Sequence, residues 1–97
     1  MKTDVIFREF KGEILALFPY EIWNYKGDVA CYSHIGQHSS ADYNYVIQNS
    51  KCINEPYDLP LYSELENHVG YKLNVIKRRN YNKYIDLWHS DMNMRRI

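Results

Sequence analysis

Apolar residues alternate or run unbroken through the first third of the chain and shift to helical spacing in its last third, so strands are expected early and helices late. Val5–Phe10 is β-branched and aromatic, Lys11 and Gly12 interrupt it, and Glu13–Phe18 is apolar again before Pro19, which is expected to stop the strand. The pair predicts a β-hairpin, with Gly12 supplying the positive φ of a tight loop. Ile14, Ala16 and Phe18 fall on one face of the second strand and Leu15 and Leu17 on the other, the pattern of a central strand covered on both sides. Residues 20 to 27 read as an exposed connection that displays Trp23 and Tyr25, either as a contact surface or with Trp23 folded back over the core.

Val29–Ile35 predicts a third strand with Tyr32 and His34 on a shared face. Gly36 ends it, and Ser39 or Ser40 is expected to cap a short helix running to about Gln48, with Asp42 as a capping-box partner. Asn49–Leu59 has the composition of a loop, although residues 51 to 53 are able to add a short pairing. Leu61, Tyr62, Leu65 and Val69 recur at helical spacing from about Pro60, with Gly70 as a left-handed cap, and Tyr71, Leu73 and Val75, alternating with Lys72, Asn74 and Lys77 around Ile76, predict a fourth strand. Tyr81, Tyr84, Ile85, Trp88 and Met92 lie on one stripe of an amphipathic helix over residues 81 to 96. That helix is expected to close its own sheet; a symmetric homodimer through the same stripe is the alternative. The fold class expected is α+β, a four-stranded antiparallel or mixed sheet with two to three helices in the order β-β-β-α-α-β-α.

A chain of 97 residues holds one domain, here residues 1–97, and a core small enough that most large apolar side chains must serve packing first. Lys plus Arg equals Asp plus Glu, at 12 each, which argues against a dedicated nucleic-acid or anionic-membrane binder. Local phosphate contact is confined to Lys77-Arg78-Arg79 and Arg95-Arg96, whose alternative is a solvated strand end and tail. The ten tyrosines suit either a contact surface or the edges of a thin core. Cys31 and Cys52 lack any disulfide-scaffold spacing, there is no signal-peptide pattern and no apolar run of bilayer length, so a cytoplasmic protein with reduced thiols is expected.

Chemistry-bearing side chains concentrate between Tyr32 and Tyr43. As a recognition loop, Gly36 admits close backbone approach while Tyr32, His34, Gln37, His38 and Ser39 supply donors and acceptors, with Trp23 and Tyr25 as neighbouring anchors. As metal ligands or acid–base groups, His34, His38 and Asp42 would be the set, giving a small hydrolase. As an anion site, the expected helix start near Ser39 would sequester a phosphorylated nucleotide. The bland alternative is that these groups satisfy the loop's own backbone. Cys31 and His34 point to opposite faces of the expected strand, which argues against a Cys–His nucleophile.

Val-Ile-Phe-Arg-Glu-Phe at residues 5–10, Ile-Leu-Ala-Leu-Phe-Pro at 14–19, His-Ile-Gly-Gln-His at 34–38, Ala-Asp-Tyr at 41–43 and the segment from Glu64 to Arg78 together resemble an uncharacterised family of short proteins from gut bacteria, their phages and mobile elements. The resemblance spans about residues 4 to 79; Ser39 and Ser40 depart from the glycine or alanine that follows the second histidine in the family. It implies a context and no activity: a cytoplasmic phage or mobile-element product, of the kind that inhibits host defence by stoichiometric binding. The expectation is therefore a non-enzymatic module that binds a host protein, without a cofactor.

Overall fold

The computed structural model describes residues 2–33 and 37–95. It is an α+β fold whose mixed six-stranded sheet carries helices on both faces. Strands β1 (Thr3–Phe10) and β2 (Glu13–Ile22) form the expected hairpin, with Phe10 opposite Glu13. Both loop residues adopt positive φ, 51° at Lys11 and 80° at Gly12, the geometry that matches a two-residue turn to the twist of its strands. β3 (Val29–Ser33) pairs with β2, and β4 (Gln37–Ala41) pairs with β3 along its whole length, so the order is β4-β3-β2-β1. The outer edge of β1 is divided between two short strands. β5 (Ser50–Cys52) lies antiparallel beside Arg8–Phe10, and β6 (Leu73–Val75) lies parallel beside Thr3–Val5.

Four expectations are corrected. The sheet has six strands rather than four. β2 does not stop at Pro19 but runs to Ile22, because the register with β3 shifts between Phe18 and Ile22 and the irregular ladder tolerates a residue without an N–H. The segment expected to be a helix from Ser39 is strand β4, and helix α1 (Tyr43–Gln48) begins only after it. Its cap is Asp42, whose carboxylate accepts the Tyr45 N–H at 3.2 Å, rather than Ser39 or Ser40.

α2 (Pro60–Glu64) opens on proline, widens into a π-type turn over Leu65–Val69 and closes at Gly70, where φ is 91° and the N–H reaches the Leu65 carbonyl at 3.0 Å. α3 spans Tyr81–Arg95. Alternation along the central strands sends Val5, Phe7, Ala16, Phe18, Ala30 and Tyr32 to one face, where Leu61 and Leu65 cover them. Ile6, Leu15, Leu17, Val29 and Cys31 go to the other, beneath Tyr43 and Val46 of α1 and Tyr84 of α3. Each fully buried Phe or Leu contributes about 1.5–3 kcal/mol. Arg8 is buried among them, its Nε and Nη2 donating to the Ser50 hydroxyl and carbonyl at 2.7 Å each, and it ties β1 to the corner between α1 and β5. Among the described residues no helix is long and apolar enough to cross a membrane.

Candidate functional site

The connection between β2 and β3 is built to hold a shape. The Trp23 N–H bonds the Asp28 carbonyl at 2.7 Å, and the Asn24 side-chain oxygen accepts the amides of Lys26 and Asp28 at 3.0 and 3.3 Å. Gly27 turns the chain at φ 85°, so close to α3 that a β-carbon there would overlap the Tyr84 hydroxyl. That hydroxyl donates to the Gly27 carbonyl at 2.6 Å, and the Trp88 indole N–H donates to the Tyr25 carbonyl at 3.1 Å. Two bonds from one helix face thus fix the turn. Trp23 and Tyr25 remain 45% and 61% exposed on it, so Trp23 leaves a large part of its ring in solvent.

The expected recognition loop is placed differently from its reading in the sequence. His34 and Gly36 lie outside the described residues. Gln37 begins β4, and Ser39 is exposed on that strand, directly across the ladder from Cys31. Tyr32 is 1% exposed and is a core residue rather than a surface contact; its hydroxyl is bonded to Glu64 of α2. His38 is exposed and stands edge-on to the Tyr32 ring at 4.7 Å, directly across the ladder from it. Asp42, the third member of the expected metal set, is engaged as the cap of α1, and α1 has six residues, too short for the anion site expected at its start. Among the described residues no three His, Cys, Asp or Glu side chains converge as metal ligands would.

The groups that do surround His38 are ones the sequence did not point to. Glu21 lies within electrostatic reach of both His38 and Tyr71. Burial raises its carboxyl pKa although the residue as a whole is exposed, and His38 partly offsets the rise. Burial, and next the Glu21 charge, raise the Tyr71 hydroxyl, whose ring stacks on Phe18 at 4.9 Å. Glu21 was hidden because it lies beyond Pro19, and Glu64 because its helix meets the sheet only through tertiary packing. The braced turn adjoins the Ala41 end of β4: Val29, where the chain leaves the turn, pairs with Ile22 on one side and with Ala41 on the other, while His38 stands three residues further along, opposite Tyr32. Compared with family models, curated proteins and solved structures, this chain finds no match.

Proposed function

We propose that this chain is a small non-enzymatic binding module that engages a protein partner one to one, with Trp23 and Tyr25 as its anchors and His38, Ser39 and Ser40 of β4 at the rim. The observation that carries the reading is the pair of exposed aromatics on a turn already fixed by Tyr84 and Trp88. Large rings carried on a backbone that is fixed before binding leave less conformational freedom to be lost on contact, and Trp and Tyr are the residues that dominate interface energies. The resemblance of the sequence to short phage and mobile-element proteins supplies the proposed setting, the cytoplasm of a bacterial host, and the proposed partner, a host protein such as a defence factor. Co-purification from such a host tests it. One stoichiometric host protein should stay with the wild type and be lost from the Trp23→Ala/Tyr25→Ala double variant with the fold retained; a partner equally retained by both refutes the assignment.

A second reading, acid–base hydrolysis, is favoured by one observation, the proximity of His38 to a carboxyl whose pKa is raised. It would rest on His38 and Glu21 in place of the set His34, His38 and Asp42. Ester or phosphoester turnover lost on either His38→Ala or Glu21→Gln would establish it, and turnover indifferent to both would remove it.

A further inference from the structure

Arg79 is held in a way that its place in the fold does not require. Its guanidinium is sandwiched between the rings of Tyr43 and Tyr84, 3.9 and 3.6 Å from their centroids, and its backbone N–H donates to the Tyr43 hydroxyl at 3.0 Å. With both faces covered, hydrogen bonds are available only along the edge of the fork. Nη1 is sealed from solvent and has no acceptor. Nε and Nη2 take no bond among the described residues either, yet they are not sealed. Among the described residues no carboxylate pairs with Arg78 or Arg79, and the ion pair formed is Lys83 with Asp4, at 3.7 Å.

These groups line a concavity of about 320 Å³ bounded by Tyr43, Asn44, Ile47, Arg78, Arg79 and Tyr81. The amino terminus of α3 stands at its rim. Asn80 caps that helix, accepting the Lys83 N–H at 3.1 Å and the Tyr84 N–H at 3.0 Å, while the amides of the preceding first-turn residues are those a helix leaves unbonded. A pre-oriented guanidinium that meets no carboxylate among the described residues, a second arginine, a helix amino terminus and an open concavity all select for the same ligand charge. We propose that this concavity is a binding site for a dianionic phosphate group, held by the edge of the Arg79 fork and by Arg78, at the start of α3. The exposed ring of Tyr81 at its rim gives a base or other flat group something to stack on when the phosphate is part of a nucleotide.

The test is an NMR titration of the full ¹⁵N-labelled chain, at constant ionic strength, with inorganic phosphate, with adenosine 5′-monophosphate and with adenosine. Saturable shifts of the amides of residues 78 to 83 with both phosphates and none with adenosine are expected. Tighter binding of the monophosphate identifies a nucleotide, and equal affinities identify the free phosphate group. Arg79→Lys keeps the charge but loses the fork, and should weaken phosphate binding at least tenfold. Arg78→Gln lies outside the sandwich, leaves the fold untouched and should weaken it severalfold. Shifts no larger than chloride produces, adenosine binding as well as its monophosphate, or phosphate affinity unchanged in Arg78→Gln, would each overturn the proposal.

Discussion

Glu21 links protonation to folding. Its carboxyl is raised above the ordinary 4.5 by burial, with His38 opposing, so the folded chain holds that proton more tightly than the unfolded chain does. The favourable contribution is complete below the unfolded value and disappears as pH rises through the folded one, which leaves ionised Glu21 the poorer form at neutrality. Glu21→Gln should therefore raise Tm at pH 7, and the advantage should shrink as pH falls through the raised folded value and be gone below about 4.5. A Tm difference that stays constant over that range contradicts the burial of the carboxyl. The thiols make a second contrast. Cys31 is buried beneath the sheet and its pKa is raised, chiefly by burial, whereas Cys52 is exposed on β5. One thiol per chain should label rapidly in the native protein and the second only on denaturation; rapid labelling of both would contradict the packing of β3.

Among the elements, the two turns around β2 are held by different devices. Lys11 takes φ 51° with a side chain, an arrangement that asparagine tolerates better, so Lys11→Asn should stabilise the hairpin by roughly 0.5–1 kcal/mol in urea unfolding. Gly12 and Gly27 both have positive φ, but a β-carbon at Gly12 meets nothing and one at Gly27 overlaps Tyr84. Gly12→Ala should cost about 1 kcal/mol and Gly27→Ala clearly more. Equal costs would mean that α3 does not clamp the turn. The hairpin, the two-sided β2, the cap at Gly70 and the helix from Tyr81 were legible because each is written in local periodicity or turn chemistry. β4 was not: Gln-His-Ser-Ser is polar on both faces, as an edge strand can be, and its serines read equally well as helix caps. The site was legible only in part. The sequence marked Trp23, Tyr25 and His38, but Tyr32 went to the core, and the setting of Glu21 and Arg79 arises from contacts distant in the chain.

At the scale of the whole molecule, two helical layers enclose one sheet, and α3 does two things at once. Tyr84 and Ile85 pack against the β2 face of the core, while Tyr84 and Trp88 reach across to hold the turn that carries Trp23 and Tyr25. A stripe so engaged leaves Tyr81, Leu87 and Met94 exposed, too scattered for the large apolar face of an obligate dimer. Sedimentation equilibrium should return a monomer, and a dimer abolished by Tyr81→Ala or Met94→Ala would contradict this use of α3. The binding surface proposed for this chain is the braced turn. Calorimetric titration of the captured host partner against the wild type and against Trp23→Ala/Tyr25→Ala tests it most directly: a one-to-one complex weakened at least 30-fold in the variant is predicted, and equal affinities would contradict it.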